Sequence, residues 1–251
     1  MTVYSGKEDF VSMMTCIYEA WSSRKGHSNV RLVLEPIYEQ EFFIEYVHVE
    51  GDEEKAEKVV RAITNKISKN VYAWVYYASR SCEPDALDTI YRFLVMGFHY
   101  GADICMMLQE PVVMRMMELR RNVGNEAHYF REFLRFSSVN GEIYVAHIEP
   151  KSDVLLSVAN HFADRMPSEH WIIMDDGRNV AAVHPKNENF YIRDLTEEES
   201  KQLLKTSECI DEFVTLWKEY FETIAIKERK NPDCQRNHFP VWMRKHATEF
   251  L

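Results

Sequence analysis

The chain reads as an α+β protein: a helical subdomain first, followed by an antiparallel sheet of about five strands packed with helices. Three observations predict this class. Apolar residues recur at helical spacing through most of residues 52–136. The period then switches to strand-like runs punctuated by Asn140-Gly141 and Asp176-Gly177, both hairpin signals. Composition allows a packed core, with 251 residues, 46% hydrophobic and 13% aromatic. One domain over 1–251 is expected. It subdivides into a mainly helical part, 1–136, and a part over 137–251 with the sheet, a long helix and a basic C-terminal arm.

Residues 3–24 carry Phe10, Met13, Met14, Ile17, Tyr18 and Trp21 on one helical face, with Ser5 as a cap. VRLVLEP is a short strand stopped by Pro36, and the β-branched and aromatic content of EFFIEYVHVE favours a second strand. Helices follow over Asp52–Ser68, through VYAWVYYASR, and from Pro84 to Tyr100, where Gly101 breaks the run. Pro111 opens the longest helix, whose stripe Val112, Met116, Leu119, Val123, Ala127, Phe130 and Leu134 runs to Phe136. Strands are expected over Phe133–Val139, Glu142–Glu149, HWIIMD, NVAAVHP and NFYIRDL, with a helix at Lys151–Met166 between the second and third. Thr196–Ile226 is mostly helix, buried through Phe213, Leu216, Trp217, Tyr220, Phe221 and Ile224. Pro232 and Pro240 keep the basic tail from forming one helix.

The longest apolar runs are far below the roughly 18 residues that span a bilayer, so no membrane association is expected. Five scattered cysteines without a CxxC pair fit a reduced, cytoplasmic protein with no structural metal. The net charge of −10 disfavours indiscriminate binding to phosphate backbones. It is unevenly spread. Residues 35–57 carry eight Glu and one Asp against one Lys, whereas 227–251 carry six Lys/Arg against three acids. The acidic stretch reads as a solvated face.

Walker A, GxGxxG, HExxH, GxSxG and zinc-deaminase signatures are absent, and no cofactor or metal is expected. The strongest positive signal is a second stripe on the long helix: Arg121, Gly124, His128, Arg131 and Arg135. Guanidinium groups offer paired donors to phosphate or carboxylate, and Gly124 would let a backbone or ligand come close. The same arginines could instead pair with Asp164 or Glu149 and knit helix to sheet, and the residues alone leave both readings open. In HFADRMP, His161, Asp164 and Arg165 sit at a helix C-terminus, where cations complement the dipole. Trp171 is read as core rather than a stacking platform. Asp176-Gly177 is read as turn chemistry rather than half of a carboxylate pair. The tail mixes Arg229, Asn231, Gln235, Arg236 and Arg244 with Phe239 and Trp242, which suits single-stranded nucleic acid or an arm docked on the fold.

Several stretches together resemble one bacterial family. RRNVGNEAHYFREFLRF carries Gly124, Glu126, Ala127, His128, Phe133, Leu134, Arg135 and Phe136. HFADRMP carries Phe162, Ala163, Asp164, Arg165 and Pro167, and NPDCQRNHFP carries Asn231, Pro232, Gln235, Arg236 and Pro240. The succession resembles the DUF4130 family of DNA-metabolism-linked proteins. That resemblance implies a setting beside a radical SAM DNA-modification or repair protein as partner, without established catalytic residues.

The expected function is therefore an accessory role in DNA repair or modification, binding nucleic acid (DNA or single strands) or the radical SAM partner. Arg121, His128, Arg131, Arg135, Arg165, Asn231, Gln235 and Arg236 would form the contact surface. One rival is an enzyme on a nucleotide or damaged base, with His128 as general acid/base and Asp164 orienting it. The other is a scaffold that binds only protein.

Overall fold

A computed structural model describes residues 1–139, 141–200 and 212–250. The chain forms two compact units, Met1–Gly124 and Asn125–Leu251.

The first unit opens on a strand, β1 (Thr2–Gly6), where a helix was expected to begin. All five of its residues are buried, so it lacks the in–out alternation that marks a half-exposed strand. Helix α1 (Phe10–Ser22) starts only afterwards. Its cap is Asp9, which accepts the Ser12 N–H at 2.8 Å, and not Ser5, which lies within β1. β2 (Val30–Leu34) and β3 (Glu45–His48) flank β1 in a three-stranded sheet of order β2-β1-β3, parallel throughout. Phe42 and Phe43 of the expected second strand stay outside it, fully exposed. Helices α2 (Glu53–Lys66), α3 (Lys69–Ala78) and α4 (Ala86–Tyr100) fall close to the spans the apolar periodicity predicts. Asp52 and Ser68 cap α2 and α3 by accepting the N–H groups of Lys55 and Val71. Met13, Met14, Ile63, Val75, Ile90, Phe93 and Leu94 are wholly enclosed in this unit's core.

Helix α5 spans Pro111–Phe133, and the division into units falls within it at Gly124. Its buried stripe begins at Val113 rather than Val112 and then follows Met116, Leu119, Val123, Ala127 and Phe130 as expected.

The second unit carries five strands in sequential order: β4 (Ser137–Val139), β5 (Ile143–Ile148), β6 (His170–Asp175), β7 (Val180–His184) and β8 (Tyr191–Asp194). The α+β class holds, but the sheet is mixed and not wholly antiparallel. β5 and β6 run parallel, joined by helix α6 (Leu155–Arg165), because a helical crossover returns the chain to the end from which it started. The other pairs are antiparallel. Gly141 takes the left-handed conformation that the β4–β5 turn requires, while Asn140 lies outside the described residues. α6 packs against β6 and β7, and Trp171 is fully buried with its ring 4.7 Å from that of His184 in a parallel stack. Trp171 is therefore core.

Of the long helix expected over Thr196–Ile226, residues 201–211 lie outside the described part. α7 (Glu212–Ile224) follows. The face expected of it is buried only in part: Leu216, Tyr220 and Ile224 are each more than half exposed, Phe221 is half-buried with its ring 6.0 Å from that of Phe250, and the Phe213 side chain lies outside the described part. The tail is broken as the prolines predict, with α8 (Pro232–His238) followed by two short 3₁₀ turns.

Candidate functional site

The donor stripe of α5 is less uniform than its spacing suggests. Arg121 belongs to the first unit, is exposed, and has no hydrogen-bond or ion-pair partner among the described residues. Gly124 is not approached: a Cβ there would meet nothing within 4 Å. In the second unit, His128 is exposed and its Nε2 lies 3.2 Å from Glu132 one turn on. Arg131 turns inward, donating to the Ser157 carbonyl at 3.2 Å and to the Ser157 hydroxyl. Arg135 is neutralised. Its Nη2 and Nε reach the two oxygens of Glu249 at 2.5 and 3.2 Å, and Trp217 Nε1 donates to the same carboxylate at 3.2 Å. The Glu249 side chain is only 4% exposed. Burial would push its pKa up, but the hydrogen bond from Arg135 leads the interactions that hold it below the ordinary carboxylate value. The partners are thus Ser157 and Glu249, neither of the acids expected from sequence.

The FADRMP stretch fares differently. It closes α6, where Arg165 is exposed and unpaired among the described residues. Asp164 opens onto a cavity of about 690 Å³ together with Asn160, Asn187, Asn189 and Phe190. One wall is His184, held by its Nδ1 at 2.9 Å from the Glu169 carbonyl. Amides and carboxylates dominate this lining, so it offers donors and acceptors in one place. His128 does not line it, and no hydrogen bond or ion pair joins His128 to Asp164 among the described residues.

The tail divides in two. Every residue of α8 is exposed. Asn231 spends its side chain capping that helix, accepting the Cys234 N–H at 3.0 Å, and Arg236 pairs with Asp233. Gln235 is exposed with its side chain uncommitted among the described residues. The last stretch docks back within the unit. Phe239, Met243 and Ala247 are buried, the Phe239 ring stacks on Phe133 at 4.0 Å, and Lys245 pairs with Glu149. Arg244 donates to the Phe239 carbonyl at 2.8 Å.

One constellation went unread in the sequence. Asp175, not Asp176, does the turn work: its Oδ1 accepts the N–H groups of Gly177 and Arg178, and its Oδ2 meets Arg178 Nη1 at 3.1 Å. Burial raises its pKa, against the pull of Arg178. Asp176 is thereby released to His147, whose Nδ1 lies 3.0 Å from Oδ1. His246 stacks near His147 at 5.8 Å, with its Nε2 3.7 Å from Asp176 Oδ2. Burial lowers the His246 pKa, opposed by Asp176 and reinforced by His147 and Lys245. These groups gather where β5 and β6, the parallel pair, both end. The Asp-Asp-Gly run was the available signal, since a turn uses only one of the two carboxylates.

Among the described residues, no group of three or more His, Cys, Asp or Glu is arranged to hold a metal ion. No described helix is long and apolar enough to cross a membrane. A comparison with curated proteins found no match. A family model described as a domain of unknown function, DUF4130, matches residues 84–249, well over half of the chain, and the protein belongs to that family.

Proposed function

We propose that the chain is an accessory protein of DNA repair or modification that binds nucleic acid through its second unit and works beside a radical SAM protein. The observation that carries this reading is the cavity beside Asp164. Asn187, Asn189 and Asp164 offer amide donors and acceptors of the kind that read a base edge, Phe190 offers a ring, and the neighbouring Arg165, unpaired among the described residues, offsets the carboxylates of Asp164 and Glu188. Gln235 adds an exposed amide uncommitted among the described residues, while His128 and Arg236 are exposed but paired with Glu132 and Asp233, and Arg131 and Arg135 serve the fold. Leu216, Tyr220 and Ile224, the uncovered face of α7, suit a protein partner.

Variants should spare the structural arginines. Arg165→Glu combined with Asn189→Ala is expected to weaken binding of a single-stranded oligonucleotide at least tenfold in fluorescence anisotropy. The salt slope should fall by about one for a lost phosphate contact. The reading fails if the folded double variant keeps both wild-type nucleic-acid affinity and wild-type co-purification with the radical SAM protein.

A second reading, an enzyme acting on a nucleotide or damaged base, is favoured by the His147–Asp176 pair rather than by His128 and Asp164. A carboxylate 3.0 Å from Nδ1 fixes the orientation of the ring, as a positioned general acid/base requires. Turnover of mononucleotides, or of oligonucleotides containing uracil or an abasic site, is then expected to drop at least a hundredfold in Asp176→Asn. No turnover by the wild-type protein, or turnover indifferent to that change, ends this reading.

A further inference from the structure

The first unit holds a separate constellation, in residues that precede the family match. β1 lies between β2 and β3 and all three are parallel, so Gly6, Leu34 and His48 finish at one edge of the sheet. The strand order reverses at β1. In open parallel sheets, ligands collect at the carboxyl ends of the strands where that reversal opens a crevice. Here the edge forms an open cavity of about 710 Å³, lined in part by Ser5, Lys7, Glu8, Glu35, Tyr46 and His48.

Its polar groups form one chain. The buried Ser5 hydroxyl donates to Glu35 Oε1 at 2.8 Å, and His48 Nδ1 lies 2.6 Å from that same oxygen. On its other side, His48 Nε2 is 2.9 Å from Glu50 Oε2, and Lys7 Nζ is 2.9 Å from Glu50 Oε1. The two carboxylates are not equivalent. Glu35 is 26% exposed and anchored from inside by Ser5, whereas Glu50 is 68% exposed and, among the described residues, held only by His48 and Lys7. The hydrogen bond to Glu35, then that to Glu50, raises the His48 pKa, so the ring favours a proton on both nitrogens.

We propose that this cavity binds a small carboxylate, which takes the place of Glu50 on His48 Nε2 and Lys7 Nζ. Glu50 acts as a built-in stand-in that a ligand displaces by swinging it into solvent. A monoanion fits better than a phosphate dianion, because Glu8 and Glu35 line the same space, Asp9 follows Glu8, and an incoming carboxylate reproduces the charge it replaces. Pro36, Ile37 and Tyr46 supply an apolar flank, so the body of the ligand is a ring or a short aliphatic chain.

The test is a titration of the full chain with benzoate, followed through the His48 ring resonances by NMR, with benzamide and inorganic phosphate in parallel. Benzoate is expected to shift the His48 ring, benzamide to leave it, and phosphate to bind at least threefold more weakly than benzoate. Glu50→Gln, at an exposed position, removes the competing carboxylate and should tighten benzoate at least threefold. Lys7→Met should weaken it by a similar factor. The proposal is overturned if benzoate leaves His48 unmoved in both the wild type and Glu50→Gln, if Glu50→Gln fails to tighten binding, or if phosphate binds as well as benzoate. These outcomes are independent of nucleic-acid binding by the second unit.

Discussion

Replacing Arg135 by alanine is expected to destabilise the second unit by about 3 kcal/mol, the cost of leaving a buried charge without its partner. The exposed partner would be worth far less, since surface pairs contribute about 0–1 kcal/mol. Glu249 is not such a partner: it is 4% exposed and carries two bonds from Arg135 and one from Trp217. The pH dependence has a definite sign. The folded Glu249 pKa is depressed, so the unfolded chain binds more protons in the acid range. The pair's contribution is complete above the ordinary carboxylate value of about 4.3 and is lost as pH falls through the lower, folded value. Urea midpoints measured from neutral pH downward should therefore converge for wild type and Arg135→Ala at the acid end. Substituting Glu249→Gln in the Arg135→Ala background should recover part of the loss, because no buried charge is left. A single variant as stable as the wild type at pH 7, or a gap that widens in acid, would show that this pair does not hold the tail.

That pair also explains how far the sequence could be read. The helices of the first unit were legible because their apolar spacing and caps are local: Asp52 and Ser68 sit where the stripes of α2 and α3 begin. Strand β1 was not, because five enclosed residues including Thr2, Ser5 and Gly6 carry neither alternation nor a strongly apolar run. The parallel step from β5 to β6 was implied by the helix between them, yet hairpin signals on either side pointed to an all-antiparallel sheet. On α5 the spacing placed the donors correctly on one stripe but could not say which were spent. Arg135 and Glu249 are 114 residues apart, and no local pattern joins them. Likewise Asp176 lies 29 residues from His147, so only the fold shows that the turn is managed by its neighbour.

Glu126 offers the second large effect, and it lies in the EAH stretch that carried the family resemblance. Its apolar neighbours Val123, Ala127 and Phe130 account for the burial of that side of α5, and the carboxylate is drawn in with them to 8% exposed. It accepts two consecutive backbone N–H groups, from Lys151 at 2.6 Å and Ser152 at 3.1 Å. Those residues belong to the turn that follows β5, beside the end where His147 and Asp176 meet. A carboxylate is the only side chain of this length with an acceptor oxygen for each N–H. Glu126→Gln keeps one acceptor and turns an amide N–H₂ toward the other donor, so we expect a loss of about 2 kcal/mol. Glu126→Ala leaves both donors unmatched and should cost about 3 kcal/mol by the same reasoning. Amide exchange separates this from a general packing defect. The Lys151 and Ser152 N–H groups should lose protection in Glu126→Gln while those of β6 and β7 hold theirs. Glu126→Gln that matches wild type within about 0.5 kcal/mol, with both amides still protected, would mean that the turn is held by something other than this carboxylate.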